Sequence, residues 1–294
     1  MKPRILVTGV NGQLGYELQR ALQGLGQIIG LDRHALDLSN PSQVEEQVRA
    51  MRPQLIVNPA AYTAVDKAES EAELAWRINA ESVGAIGRAA KACGAGVIHY
   101  STDYVYDGAK DGVYREDDPT APLGVYGASK LGGEDALRAS GAPHLILRTS
   151  WVYGMRGKNF LLTMLRLMQE REQLRVVNDQ IGAPTWCRSI ADATAHALAR
   201  APLADAAQSA AWWEQHQGVY HLTCQGAASW YDFTAAIMAL RPPPRPVDLQ
   251  PIPSSAYPTP AKRPANSRLD CSKFMSHFCD LPEWRSALEL CLAP

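Results

Sequence analysis

The sequence carries no surplus of charge: 29 Lys and Arg stand against 30 Asp and Glu, a formal net charge of -1. A chain that grips nucleic acid usually shows a basic face, and this balance gives no hint of one. Long hydrophobic runs are missing too, since nothing approaches the ~18 apolar residues of a membrane-spanning helix. Met1-Lys2-Pro3-Arg4 leads straight into a short apolar strand, without the apolar stretch and cleavage site of a signal peptide. The six cysteines, Cys93, Cys187, Cys224, Cys271, Cys279 and Cys291, include no Cys-x-x-Cys pair, and no His/Cys grouping has zinc-ligand spacing. They read as reduced, mostly buried thiols. No internal repeat is visible. Together these absences predict a soluble, cytoplasmic protein with neither a nucleic-acid nor a membrane partner.

What is present is apolar content in a regular rhythm. Hydrophobic residues make up 46% of the chain, enough for a full core without staples. Ile5-Leu6-Val7, Ile28 to Leu31, Leu55 to Asn58, Gly96 to Ser101 and Leu145 to Arg148 read as strands. Between them Tyr16 to Leu25, Pro41 to Met51, Ala72 to Cys93 and Tyr126 to Arg138 read as helices, with Ser39 or Asn40 capping the second. Alternation of this kind predicts a parallel sheet with helices on both faces. The strands are apolar throughout, as expected when both faces are covered. Past residue 150 the rhythm loosens. Asn178 to Thr185 reads as a polar turn, Ile190 to Arg200 as a helix, and Val219 to Leu222 as a last strand. Ser229 and Asp232 can form the capping box of a helix running to Leu240. Residues 242–264 are Pro-rich and fit a linker or a wrapping loop equally well. Trp212-Trp213 reads as an exposed or half-buried loop pair, and His99, inside an apolar strand, as a satisfied core residue.

Gly9-x-x-Gly12-x-x-Gly15 follows the first strand and opens the first helix. A pyrophosphate needs backbone N–H groups at close range and the positive end of a helix dipole, and glycines permit that approach. The spacing is the Gly-x-x-Gly-x-x-Gly variant typical of short-chain dehydrogenases/reductases. Asp32 closes the second strand and suits the ribose hydroxyls of NADH, whereas its neighbour Arg33 suits the 2′-phosphate of NADPH. Either cofactor therefore stays open. Asp37-Leu38 lies where such a pair flanks an adenine, with a helix cap as the plainer alternative.

Tyr126-Gly127-Ala128-Ser129-Lys130 sets Tyr126 and Lys130 on one face of a helix. A free phenol, with a pKa near ~10, is a poor acid or base at neutral pH, and a neighbouring ammonium lowers it. Ligands sit at the carboxyl ends of parallel strands, so a third member is expected there. Thr102 is chosen over Ser101 as the hydroxyl that meets both the substrate carbonyl and the Tyr126 oxygen.

Beyond these residues the chain resembles the dTDP-4-dehydrorhamnose reductase family of extended short-chain reductases. The resemblance rests on the stretches Val57 to Glu69, Tyr100 to Tyr106, Arg148 to Tyr153, Asn178 to Thr185, Tyr257 to Pro264 and Asn266 to Leu269. It implies an α/β fold: a Rossmann-type, doubly wound parallel sheet with a smaller C-terminal substrate lobe. Residues 1–150 would form the NAD(P)-binding domain, with a return segment near 187–222, and 151–186 with 223–294 the substrate-binding lobe. The implied reaction is reduction of dTDP-4-dehydro-6-deoxy-L-mannose by NADH or NADPH to dTDP-L-rhamnose, feeding cell-envelope polysaccharide such as lipopolysaccharide O-antigen. Tyr126 would be the proton donor, Lys130 its partner, and Thr102 would tune the phenol. Gly12, Gln13, Leu14, Asp32, Asp37, Leu38, Ala61, Tyr62 and Thr63 would meet the cofactor, beside Gly9, Gly15 and Arg33 of the motifs above. Thr102, Asp103 and Trp151 would meet the nucleotide sugar. Pro59 and Tyr62 stand where the family often has Ala and His. Some members bind Mg2+ at a dimer contact, and Glu17 matches one such position. The segment Trp186-Cys187-Arg188 shows no acidic partner, so a solvated helix residue is the preferred reading of Glu17, and a homodimer is left open. Two other readings stand beside this one: an epimerase or dehydratase of the same group, and a non-enzymatic regulatory subunit of methionine adenosyltransferase. The absence of a Glu after Thr102-Asp103 argues against a dehydratase, and an intact Thr102, Tyr126 and Lys130 set argues against mere binding.

Overall fold

A computed structural model describes residues 2–293. Six parallel strands form its central sheet: β1 (Arg4–Thr8), β2 (Gln27–Leu31), β3 (Leu55–Asn58), β4 (Gly96–Thr102), β5 (His144–Thr149) and β6 (Gly218–His221). Their spatial order is β6-β5-β4-β3-β1-β2. Successive side chains of a strand point to opposite faces, and here both faces are apolar. Ile5, Val7, Leu55, Val57, Ile98, Leu145 and Leu147 meet one helical layer, α1 (Gln13–Ala21) and α5 (Cys187–Leu198). Leu6, Ile56, Val97 and Ile146 meet the other, made by α2 (Pro41–Met51), α3 (Ser82–Cys93) and α4 (Val125–Ala139). This is the doubly wound arrangement that the apolar strands predicted. The chain runs from β1 to β2 on one side and then crosses to β3 on the other. The crevice at the carboxyl ends of β1 and β3 is therefore the place where such folds hold ligands.

Several local expectations shift. The first helix starts at Gln13 rather than Tyr16, because the Gly12 carbonyl already accepts from Tyr16 N at 3.1 Å. Asn40, not Ser39, caps α2 by accepting from Gln43 N. The helical run from Ala72 is interrupted by a π turn over Arg77–Glu81. There the Asn79 side chain bonds both the N and the O of Tyr62 and the Ser129 hydroxyl. Gly133 lets α4 lie against this turn, since a Cβ there would sit 2.1 Å from Asn79 O.

The rest of the chain packs round a second apolar cluster that includes Tyr153, Leu161, Phe233, Ile237, Trp284 and Leu288. The segment read as a turn holds two short strands. Ile181–Gly182 pairs antiparallel with Ala228–Ser229, and Thr185–Trp186 pairs parallel with Val152–Tyr153. The Pro-rich segment is no linker: Asp248–Ile252 pairs with Gln173–Val177, and Arg263 reaches Asp66 at 2.8 Å. Its prolines are tolerated because this sheet has only two strands, so each has a free edge. The capping box of Ser229 and Asp232 is present. Trp212 and Trp213 lie on a helix, Ala206–His216, rather than in a loop. Asp205 caps that helix, and Trp213 is buried against Gly96, where a Cβ would collide with the indole. Among the described residues no helix is long and apolar enough to cross a membrane, and all six cysteines are free thiols.

Candidate active site

The glycine turn is built for close approach. Gly9 has φ +58°, and a Cβ on it would lie 2.9 Å from Ala60 Cβ. A Cβ on Gly15 would lie 2.2 Å from the Gly9 carbonyl oxygen. The turn closes through Gly12 N to Gly9 O at 2.9 Å, and no side chain caps the start of α1. That first turn forms one wall of a cleft of about 520 Å³. The cleft brings together Gly9, Gly12, Gln13, Leu14, Gly15, Asp32, Arg33, Asp37, Leu38, Ala61, Tyr62, Thr63, Tyr126 and Lys130. At its far rim Asp32 accepts from His34 N, Ala35 N and Asn11 Nδ2 at 2.9, 3.0 and 3.1 Å. The Ala35 N–H is the largest reason that this carboxyl sits below its usual range. Asp37 accepts from Ser39 N at 2.9 Å, which likewise holds it low, with the charge of Arg33 assisting.

Tyr126 and Lys130 lie on the first turns of α4, as the one-turn spacing required. Gly127 presses that helix onto the loop after β4: a Cβ there would be 2.2 Å from Tyr104 O. The Tyr104 and Tyr126 rings meet edge to face at 5.5 Å. Burial pushes the Tyr126 phenol up to about 12; the Thr102 hydroxyl pulls it down and the charge of Asp103 pushes it up. Lys130 was expected to lower the phenol. Its Nζ instead donates to Tyr100 O at 2.6 Å and lies 3.4 Å from His99 Nε2. Burial brings Lys130 down to about 8, against the opposing charge of Glu134.

Thr102 and Asp103 are buried and do not line the cleft, whereas Ser101, the hydroxyl passed over in favour of Thr102, does. The Thr102 hydroxyl donates to Asp103 Oδ1 at 2.9 Å and accepts from Tyr104 N at 3.2 Å. Asp103 is buried, and its Oδ2 has no partner among the described residues. Burial therefore raises its pKa to about 6, although Ser267 and Thr102 pull it back. Trp151 lies apart from the cleft wall in a left-handed conformation (φ +47°), stacked face to face on Trp230 at 3.4 Å. Glu17 is not a solvated residue: it forms an ion pair with Arg188 at 3.0 Å and is largely covered. Among the described residues no three His, Cys, Asp or Glu side chains gather as a metal site.

The family model described as the RmlD substrate binding domain matches residues 1–294. A protein of Burkholderia thailandensis named dTDP-4-dehydrorhamnose reductase is 50% identical over 296 residues, with 98% of each chain covered. The chain belongs to the dTDP-4-dehydrorhamnose reductase family. The Escherichia coli K12 reductase of the same name is 51% identical, covering 96% of this chain and 94% of that one. A solved structure of the Bacillus anthracis dTDP-4-dehydrorhamnose reductase in complex with NADP aligns over 99% of both chains at 35% identity and a TM-score of 0.88. The chain is thus an oxidoreductase, and its identity with the two curated reductases runs through both the sheet and the second cluster.

Motif reading left out several walls of this reductase's cleft, Asn11, Ala60, Ile78, Tyr100 and Thr149, and passed over Ser101 for Thr102. Ala60 follows β3, Tyr100 and Ser101 end β4, and Thr149 ends β5. The rule that ligands gather at carboxyl strand ends could have found them. Trp230 was missed for another reason. Its partner Trp151 is remote in sequence, and no local pattern joins the two.

Proposed function

We propose that this reductase converts dTDP-4-dehydro-6-deoxy-L-mannose to dTDP-L-rhamnose with a nicotinamide dinucleotide, NADPH by preference. One observation carries the reading: a single cleft runs from the glycine turn to Tyr126 and Lys130. The dinucleotide fits the residues present: Gly9 and Gly15 let the turn close tightly on Ala60 and on the Gly9 carbonyl, where any Cβ would collide, and the uncapped start of α1 lines the cleft. Gly12, Gln13 and Leu14 would hold its pyrophosphate, Ala61 to Thr63 its middle, and Asp37 with Leu38 its adenine. Asp32 already accepts three hydrogen bonds, whereas the exposed Arg33 lines the rim and suits a 2′-phosphate. When bound, the dinucleotide supplies the hydride and leaves in its oxidised form.

The chain's own residues handle the proton. As the C4 carbon gains hydride, Tyr126 gives its hydroxyl proton to the carbonyl oxygen, and the ketone becomes a secondary alcohol. Burial keeps that phenol protonated at neutral pH, which is the form a reduction needs. The Thr102 hydroxyl donates to Asp103 Oδ1 and can turn its hydrogen bond to the phenolate that forms, which is then re-protonated from solvent. Residues 1–150, with the segment near 187–222, would carry the dinucleotide, and 151–186 with 223–294 the sugar nucleotide. We place the reaction in the cytoplasm. The test is to generate the dTDP-ketosugar enzymatically, add the protein, and follow absorbance with NADPH and NADH separately. Tyr126→Phe should lose about 10²–10⁴-fold in turnover, the usual worth of a positioned general acid, while still binding NADPH. Near-normal turnover in that variant would sink the assignment.

A further inference from the structure

The helix that carries Tyr126 and Lys130 starts without a cap of its own. Gly124 holds the position before α4 and offers no side chain to the free N–H groups of the first turn. A partner comes from elsewhere in the chain: Glu69 Oε1 accepts from Val125 N at 2.9 Å. Gly124 leaves room for it, since a Cβ there would sit 2.5 Å from the same carboxylate oxygen. Its backbone is extended (φ -153°) rather than left-handed, so conformation alone does not call for glycine. The space taken by the carboxylate does. A carboxylate also suits the positive end of the helix dipole. Tyr126 follows Val125 directly, so the group proposed to give the proton lies in the turn that Glu69 holds.

Glu69 belongs to a segment that meets the other parts of the site. Residues 59–63 form one wall of the cleft. The one-turn helix Val65–Ala68 follows, and within it Asp66 accepts from Arg263 Nη2 at 2.8 Å and from Ala261 N at 3.2 Å. Those bonds hold the Pro-rich segment. Past Glu69, Glu71 accepts from the Tyr62 hydroxyl at 2.5 Å and so returns to the cleft wall. We propose that Glu69 is a positioning residue for Tyr126, fixing the first turn of α4 against the cleft wall at residues 59–63 and, through the same segment, against the Pro-rich segment. The Glu69 side chain is exposed, so the core does not need it and its removal leaves no cavity. What it supplies is a fixed point. The N–H groups of a first turn point along the helix axis, so this bond sets how far α4 advances toward the cleft. Gly127 sets the same turn sideways, against Tyr104 O. A shift of about 1 Å at a reacting group can cost about 100-fold in rate, and one hydrogen bond at the helix start governs a displacement of that order.

This inference rests on the reductase reading above, and its test separates the two. Hydrogen–deuterium exchange needs no substrate. In Glu69→Ala, peptides covering residues 124–130 should exchange about fivefold faster than in the native chain, the equivalent of one lost cap, while peptides of β1 and β3 keep their native rates. Unchanged exchange over 124–130 overturns the proposal whatever the activity. In turnover of the dTDP-ketosugar, Glu69→Ala should lose about tenfold in kcat, with the NADPH dissociation constant and the sugar-nucleotide KM close to native. Glu69→Gln, which keeps an oxygen acceptor, should recover most of both losses. Gly124→Ala is the second variant: its Cβ displaces the carboxylate without removing it, so it should slow turnover as Glu69→Ala does. The double variant should be no slower than either alone, because both remove one contact. Folded Glu69→Ala with native kcat overturns the proposal, as do additive losses in the double variant or a Glu69→Gln as slow as Glu69→Ala. If Glu69→Ala does not fold, exchange and turnover of Gly124→Ala decide. Failure of the native chain to turn over the ketosugar would instead remove the functional reading and leave the exchange result standing.

Discussion

Gly15→Ala tests the phosphate turn most directly. The added Cβ would sit 2.2 Å from Gly9 O, 2.8 Å from Gly9 C and 3.0 Å from Val10 Cα. All three are backbone atoms of the turn itself, so no side chain can swing aside. Restoring ordinary contact requires the turn to open by roughly 1 Å, and a misplacement of that size near reacting groups can cost about 100-fold. Overpacking of this kind also destabilises by about 1–3 kcal/mol. Gly24→Ala is the matched control: nothing lies within 4 Å of its Cβ and its φ is not left-handed. That substitution should be neutral or stabilise by about 0.4–1 kcal/mol through the unfolded chain. The measurements are NADPH dissociation constants by fluorescence titration and thermal melts of both variants. Gly15→Ala should weaken NADPH binding at least tenfold and lower Tm, while Gly24→Ala binds as the native chain does. If Gly15→Ala binds NADPH within twofold of native and melts unchanged, the turn does not cradle the pyrophosphate as argued.

Arg33→Ala should raise KM for NADPH while leaving KM for NADH nearly untouched, since only NADPH carries the 2′-phosphate; equal effects on both would remove Arg33 from cofactor choice. Asp103→Asn should stabilise the protein at pH 8 and not at pH 4. A carboxyl whose folded pKa rises from 3.8 to about 6 binds more protons folded than unfolded between those values, so its cost appears as pH climbs through that window and is complete above about 6. The full cost is roughly 3 kcal/mol, and urea denaturation at the two pH values reads it. The same variant keeps an acceptor for the Thr102 hydroxyl, so kcat should fall less than in Thr102→Val.

Elements carried by local chemistry were legible in the sequence. Apolar runs gave the strands, Pro41 and Asn40 the start of α2, Ser229 and Asp232 a capping box, and the three glycines a turn with bare backbone. What was not legible depends on pairing across the fold. The Pro-rich segment fitted a linker as well as a wrapping loop because its strand partner, Gln173–Val177, lies far upstream. The π turn at Arg77–Glu81 arises where Asn79 reaches back to Tyr62 and across to Ser129, partners that no helical periodicity announces.

The candidate site divides along the same line. Spacing alone put Tyr126 and Lys130 on one face of α4, yet the lysine's partners follow from strand register, which sets His99 beside Asn58 and turns it toward that helix. Within β4 His99 reads only as a polar interruption of an apolar strand, and Asn58 only as the end of β3. Their meaning appears once the two strands are neighbours. A motif can therefore mark the residues proposed to handle the proton, whereas the partners that hold them — Asp103 beside Thr102, Tyr100 and His99 beside Lys130 — are assembled by the sheet. In this reductase the proposed proton donor and its lysine share one helix, and the partners that hold them are set by the fold.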